Sequence, residues 1–430
     1  MGGLIIAAPA SGSGKTTVTL GLLRALKRRG VSVRAAKSGP DYIDPRFHDA
    51  ACGKTCFNLD AWAMSPTRIM GLAGGEGVLV IEGAMGLFDG APPDGRGATA
   101  DLARLLRLPV VLVVDAGRMA QSIGPLVAGF ARHDPLVNVA GVVLNRIGSD
   151  RHLQMLTKAV GALGLPVFGA LPRSTALAHP SRHLGLMQAG ERPDLERFLD
   201  DAADLVERHM DIGALLHLAG QHSCPPVSLT RRTPPAQRIA VAHDAAFAFT
   251  YPHLLADWRI GGAEITFFSP LADEAVPPAD LIILPGGYPE LHAGRLAAAE
   301  VFMASIRKAS QVSDIYGECG GYMALGEVLT DAEGVAHKMA GLLPLETSFA
   351  MRRLHLGYRM VEALGGLFPG RWAAHEFHYA TTTRATGYPL FRAWDAEGVA
   401  LEPMGLSQGR VSGSFAHLIE SQMDTAKSEV

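Results

Sequence analysis

The run GGLIIAAPASGSGKTT at residues 2–17 constrains the fold more than any other stretch. An apolar segment of strand length passes into a loop of small residues, and helical patterning begins at Lys15. Gly14-Lys15-Thr16 completes the phosphate-loop pattern G-x-x-x-x-G-K-[ST], with Pro9 in place of its first glycine. Glycines leave backbone N–H groups free to surround phosphates at a helix N-terminus, where the dipole favours negative charge. Ser11, Gly12, Ser13, Gly14, Lys15, Thr16 and Thr17 are therefore candidate nucleotide-binding residues. Lys15 would reach the β and γ phosphates, and the Thr16 hydroxyl would bind Mg²⁺.

A strand that feeds such a loop belongs to a doubly wound parallel sheet, and the following residues keep the rhythm. VSVRAAKS, GVLVIEGAMG, LPVVLVVDA, VAGVVLNRIG and LPVFGALP are strand-like runs separated by helix-length segments, including Lys15–Arg29, Ala120–Arg132 and Arg151–Leu163. Such β-branched stretches mark strands buried on both faces. The rhythm breaks at residues 221–237, QHSCPPVSLTRRTPPAQ, whose two Pro-Pro pairs read as a linker. It resumes with RIAVAHDAAF, AEITFFSPL and DLIILPGGYPE, with helices expected near Pro252–Trp258 and Leu296–Lys308. At 430 residues the chain can bury more than one core. The expected domains are 1–220, a P-loop nucleotide-binding domain, and 238–430, a second α/β domain.

The chain is 48% hydrophobic and 19% charged, with a net charge of −3, a balance that argues against nucleic acid or a membrane surface as partner. No apolar run reaches membrane-spanning length. Cys52, Cys56, Cys224 and Cys319 are too few for a disulfide framework, which points to a reducing, cytoplasmic compartment. Cys52 and Cys56 have no second pair with which to complete a metal site.

Carboxylates stand at strand ends: Asp41 and Asp44 in KSGPDYIDPRFH, Glu82 after VLVI, and Asp115 after VVLVV. Each could complete a Mg²⁺ shell, directly or through water. Ligands in open α/β sheets bind at strand carboxyl ends, so Asp41, Asp44 and Glu82 read together as functional. In the second half, Gly317-Glu318-Cys319-Gly320-Gly321 spells G-x-C-x-G, the strand–turn–helix elbow with sulfur for the serine hydroxyl. A buried structural cysteine in a glycine-rich turn is the alternative reading.

These motifs identify a resemblance. KSGPDYIDPRFH, FNLDAW, IEGAMGLFDG and SRHLGL resemble the cobyrinic acid a,c-diamide synthases, which amidate two acetate side chains of the corrin ring in cobalamin biosynthesis. In the aerobic branch the substrate is the metal-free ring, hydrogenobyrinic acid. GGYPE, YGECGGYM, LGYR, HEFHY and GSFAH resemble the same family's class I glutamine amidotransferase domain, and the match runs nearly end to end. The resemblance implies a dethiobiotin-synthetase-like N-terminal fold in which Asn145 contacts adenine. It places Asp41, Tyr42, Asp44 and Glu82 where Mg²⁺, the γ-phosphate and the substrate carboxylate meet, with Thr16, Asp44 and Glu82 around the metal. Lys37 either stabilises charge there or is a solvated lysine. Arg182 and His183 would hold corrin carboxylates through charge-assisted hydrogen bonds.

The implied chemistry is transfer of the ATP γ-phosphoryl to a carboxylate, followed by displacement of phosphate by ammonia. Cys319, as thiolate at a helix N-terminus, would release that ammonia from glutamine through a thioester. Gly287, Tyr288 and Gly320 are the candidate oxyanion residues. His417 is the expected base, with His375 and His378 as competitors, and Glu420 the nearest acid in sequence. The implied partners are a corrinoid polycarboxylate and L-glutamine, with a homodimer left open. Alternatives are a cobyric acid synthase-like enzyme, a nickel-tetrapyrrole a,c-diamide synthase, or a P-loop partitioning ATPase. The last typically carries a lysine where Ala10 stands.

Overall fold

The computed structural model describes residues 2–173, 181–182, 185–222 and 232–422. The chain forms two compact units, Met1–Thr230 and Arg231–Val430. Among the described residues no helix is long and apolar enough to cross a membrane.

In the first unit seven parallel strands form one sheet, ordered Phe57–Leu59, Val33–Ser38, Val78–Glu82, Gly3–Ala7, Val110–Asp115, Val139–Ile147, Val167–Pro172. The first strand in sequence is thus the central one. Leu4 and Ile6 enter a core shared with Leu20 and Leu23 of helix Lys15–Arg28 and with Phe198 and Leu199 of helix Leu195–His209. Ile5 alternates to the opposite face and is equally buried. A strand apolar on both faces is stable only between two layers of helices, as the sequence pattern predicts.

Register then assembles a site. Ile6 pairs with Glu82, and Lys37 pairs with Glu82 from the other side. One row across three strands therefore carries Lys37 and Glu82 to the carboxyl edge where the phosphate loop leaves the sheet.

The second unit has a six-stranded sheet ordered Glu264–Phe268, Arg238–Ala242, Leu281–Leu284, Asp314–Glu318, Val411–Ser414, Leu406–Gln408, parallel except for the last. A five-stranded antiparallel sheet, which includes His355–Ala363, Arg371–His378 and His417–Ser421, and a four-stranded sheet complete the unit. The helix expected at Leu296–Lys308 is two helices, Ala293–Ala297 and Glu300–Ala309. The second has a tertiary cap: Asp273 Oδ1 accepts the Phe302 N–H at 2.9 Å. That carboxylate arrives from 29 residues away and satisfies a donor that a continuous helix would have used internally.

Candidate functional site

The phosphate loop has the backbone that its glycines predict. Gly14 caps helix Lys15–Arg28 with φ 95°, a conformation side chains rarely adopt. A Cβ there would also meet Asn145 Nδ2 at 2.2 Å. Asn145 donates to the Ser13 carbonyl at 2.9 Å, and its Oδ1 accepts the Arg146 N–H, so in this structure the side chain props the loop. Ser11 and Gly12 are exposed at the loop tip, and Thr17 is half-buried on the helix. The Lys15 ammonium lies across the mouth, donating to the carbonyls of Met85 and Ala10. Burial pulls its pKa down, as for a cation short of water.

Beneath the loop lies a buried charge cluster. Thr16 Oγ1 donates to Glu82 Oε1 at 2.7 Å. Lys37 Nζ reaches Asp44 at 2.5 Å, Glu82 at 2.9 Å and Asp41 at 3.8 Å. Lys37 is 3% exposed, which removes the solvated-lysine reading. Burial alone would lower its pKa, but Asp44 and Glu82 overturn that and hold it well above the usual value. Burial would likewise raise Glu82, yet Lys37 and then His48 hold this carboxyl well below the carboxylate range.

Asp41 has a second task that the sequence concealed. Its Oδ1 accepts the N–H groups of Ile43 and Asp44 at 2.8 and 3.1 Å, shaping the entry to helix Asp44–Cys52. Tyr42 is half-buried in the same loop. Asp115 is turned to Arg146 and to the Gly117 N–H, and serves as a loop brace.

His48 was missed at the sequence level. It is fully buried, with Nε2 2.6 Å from Glu82 Oε2 and Nδ1 3.5 Å from Cys56 Sγ. The signal was the spacing of Asp44 and His48, which puts both on one helix face. Asp89 was also missed; its carboxylate accepts the Gly86 N–H at 2.9 Å and braces the turn after Glu82. Strands Ser181–Arg182 and Gly185–Leu186 pair antiparallel. The Arg182 side chain and all of His183 lie outside the described residues.

The cysteine motif of the second unit is an elbow. Cys319 has φ 47° and ψ −102° between strand Asp314–Glu318 and helix Gly320–Leu325. A Cβ at Gly321 would lie 1.8 Å from the Leu284 carbonyl oxygen, so no other residue fits that turn. A Cβ at Gly320 would sit 3.1 Å from the Gly287 nitrogen, and one at Gly286 would sit 2.3 Å from His417 Cε1. The Gly286–Gly287 turn is thus packed against His417 on one side and the elbow on the other. Tyr288 follows, half-buried, with its ring 5.2 Å from that of Phe249.

Two of these groups have settings that the sequence did not show. First, Cys319 is 4% exposed, and burial pushes its pKa well up despite the Gly320 N–H; ionisation of Glu290 would raise it further. The resting group is a thiol, because desolvation outweighs one short helix terminus. Second, the role of Glu420, left open by the sequence, is set by another residue. Its carboxylate pairs with Arg232 at 2.7 Å. Glu318 instead places Oε2 3.6 Å from His417 Nδ1, while its Oε1 accepts the Leu418 N–H at 3.1 Å. Its signal was adjacency to the nucleophile, not to the histidine.

The competing histidines have other settings. Burial and then the charge of His417 push His375 down to about 3, so it is a neutral imidazole beside its cross-strand partner His417. His378 donates to or accepts from Glu376 at 3.0 Å and is stacked between His355 and Phe415. Nitrogen and oxygen atoms of His355, Glu376 and His378 converge within 4.8 Å. Arg359 already pairs with Glu376 at 2.8 Å, and the two imidazole rings lie 7° from parallel, so their in-plane lone pairs do not meet at one ion. We read this cluster as a neutralised polar network.

A P-loop unit with a buried carboxylate–lysine cluster, joined in one chain to a cysteine-elbow unit, defines a nucleotide-dependent protein with a glutamine amidotransferase domain. Residues 4–186 match the model of the CobQ/CobB/MinD/ParA nucleotide binding domain, and residues 238–424 match that of the CobB/CobQ-like glutamine amidotransferase domain. The hydrogenobyrinate a,c-diamide synthase of Brucella abortus biovar 1 (strain 9-941) is 57% identical over 99% of this chain and 100% of its own length. Those of Rhizobium meliloti (strain 1021) and Rhodobacter capsulatus are 54% and 53% identical, over 98% and 97% of this chain and 99% and 98% of theirs. The chain belongs to the hydrogenobyrinate a,c-diamide synthase family. Among solved structures, the septum site-determining protein MinD with Mg-ADP from Pyrococcus horikoshii OT3 is 17% identical, covering 51% of this chain and 94% of that one at a TM-score of 0.33.

Proposed function

We propose that this protein uses ATP and ammonia from glutamine to amidate the a and c acetate carboxylates of hydrogenobyrinic acid in cobalamin biosynthesis. The observation that carries the reading is the meeting of Thr16, Lys37, Asp44 and Glu82 at the phosphate loop, in a chain with end-to-end diamide synthase relatives.

A carboxylate is a poor acyl donor because oxide is a poor leaving group. Phosphoryl transfer from ATP converts it to an acyl phosphate, from which ammonia displaces phosphate. Lys15 and the loop N–H groups take the phosphate charge. The Thr16 hydroxyl and Glu82 carboxylate fit a hard divalent cation, with Asp44 and Asp41 close behind them. Bound there, Mg²⁺ would supply charge neutralisation to the transferring phosphoryl group. Lys37 keeps Glu82 ionised in the dry pocket and pairs with Asp44, so that Glu82 is anionic when ligands arrive. Arg182 and His183 remain the proposed holders of the corrin carboxylates.

In the second unit, His417 takes the Cys319 proton as sulfur attacks the glutamine amide, and the N–H groups of Gly287 and Gly320, beside Tyr288, face the developing oxyanion. Ammonia leaves, and water cleaves the γ-glutamyl thioester. Glu318 steadies the imidazolium.

The substrate is tested by offering hydrogenobyrinic and cobyrinic acids separately with ATP, Mg²⁺ and glutamine, and counting amides by mass spectrometry. Two amides on the metal-free ring are expected; amidation of neither ring would overturn the substrate assignment. The acid assignment is tested in the same assay. Glu318→Gln should lower the glutaminase kcat about 10- to 100-fold, because the imidazolium loses its counter-charge. Glu420→Gln should leave kcat within about twofold; the reverse ranking would make Glu420 the acid that orients His417.

A further inference from the structure

Glu290 closes the GGYPE motif in the short turn Pro289–His292, immediately after the proposed oxyanion residues. This turn packs on the helix that follows Cys319: a Cβ at Gly320 would meet Pro289 Cδ at 2.8 Å. The residue as a whole is half-buried, but its Oε2 is enclosed and has no hydrogen-bond partner. Burial pushes the carboxyl up to about 8. When ionised, Glu290 would be the largest influence on the Cys319 thiol after burial, so the two groups share one electrostatic environment.

An enclosed carboxyl oxygen without a donor is costly, and native proteins rarely keep one without a use. The steps above give it none: His417 moves the proton, Glu318 faces His417, and backbone N–H groups hold the oxyanion. What must enter beside Cys319 is a primary amide on a short aliphatic tether that ends in an ammonium and a carboxylate. The ammonium is the only cation on that ligand. The charge of Arg352, exposed in the loop before strand His355–Ala363, acts on Glu290 against burial and favours its ionised form. A carboxylate and a guanidinium within electrostatic reach of one another are the pair that a zwitterionic head group requires.

We propose that Glu290 is the anionic partner of the α-ammonium group of glutamine and sets the preference of the glutaminase unit for a free α-amino acid over other primary amides. The inference rests on the glutaminase reading of Cys319. Unliganded, Glu290 keeps its proton and spares the pocket a buried charge. With the ammonium in place it ionises, and the charge-assisted hydrogen bond anchors the head group while the amide carbon reaches the sulfur. The same preference would keep peptide-bound glutamine, whose α-nitrogen is an uncharged amide, from being hydrolysed.

The test compares wild type, Glu290→Gln and Glu290→Asp in glutaminase assays with glutamine and with its des-amino analogue, 4-carbamoylbutanoate. Glu290→Gln should raise the KM for glutamine about 10- to 100-fold with kcat little changed, as expected for loss of one charge-assisted bond. Discrimination between the two amides should fall by a similar factor, and Glu290→Asp should restore part of it. A merely structural role would weaken both substrates equally and leave their ratio unchanged, which would overturn the proposal. Unchanged KM and ratio in Glu290→Gln would overturn it as well. If wild type itself hydrolyses no glutamine, the glutaminase reading falls and takes this inference with it; in the other two outcomes that reading stands.

Discussion

Cys319→Ala should lose glutamine-dependent amidation by at least about 10³-fold while still forming amide from added ammonium. The expectation follows from the division of labour between two separately folded units. On the proposed reading, the sulfur makes and breaks the covalent bond to glutamine. Nothing in the phosphoryl-transfer cluster depends on it, so the acyl phosphate still forms and free ammonia still displaces phosphate. Mass spectrometry of the corrin product with each nitrogen source checks both halves at once. Persistent glutamine-dependent turnover would mean that the nucleophile lies elsewhere; loss of both activities would mean that the units are not catalytically separable. Because the resting thiol is held protonated by burial, wild-type Cys319 should also react slowly with iodoacetamide.

Lys37→Met should abolish amidation from either nitrogen source and destabilise the first unit. The ammonium pairs with Asp44 and Glu82, whose side chains are 11% and 1% exposed. Removing it strands like charges in a dry pocket, and unpairing a buried ion in this way costs about 3–5 kcal/mol. With only His48 left to oppose burial, Glu82 would rise from its depressed position. It would take up a proton to escape desolvation and could no longer serve a metal or a phosphoryl group as an anion. The sign of the pH effect follows. In wild type the depressed Glu82 pKa contributes stability above the unfolded value, fading as pH falls through the native one, and Lys37→Met should flatten that dependence. Denaturant midpoints across pH, read beside ammonia-dependent activity, test both parts. Activity within tenfold of wild type would reduce Lys37 to a structural ion.

Several of these groups could be read from the chain and others could not, and the difference is physical. The phosphate loop and the cysteine elbow are local devices. Their geometry comes from consecutive residues, the left-handed Gly14 in one and the clearance at Gly321 in the other, so pattern alone located them. Glu82 and Asp44 were legible because strand ends and a family resemblance marked them. The burial of Lys37, the grip of His48 on Glu82 and the cap of Asp273 on a distant helix were not, since each joins residues far apart in the chain.

Electrostatics also misled where burial was unknown. A helix N-terminus argued for a thiolate at Cys319, and the enclosed site argues for a thiol. Likewise Glu420, near His417 in sequence, belongs to Arg232, whereas Glu318 lies on a neighbouring part of the sheet system and reaches across.

By itself, then, the sequence determined the two α/β units, the nucleotide loop and the cysteine elbow, because backbone conformation and hydrophobic alternation are written in neighbouring residues. Only the tertiary structure decided which acid faces His417, which lysine neutralises the carboxylates and which carboxyl oxygen is enclosed without a hydrogen bond. Those depend on strand register and on desolvation, and both arise when segments far apart in the chain close on one another.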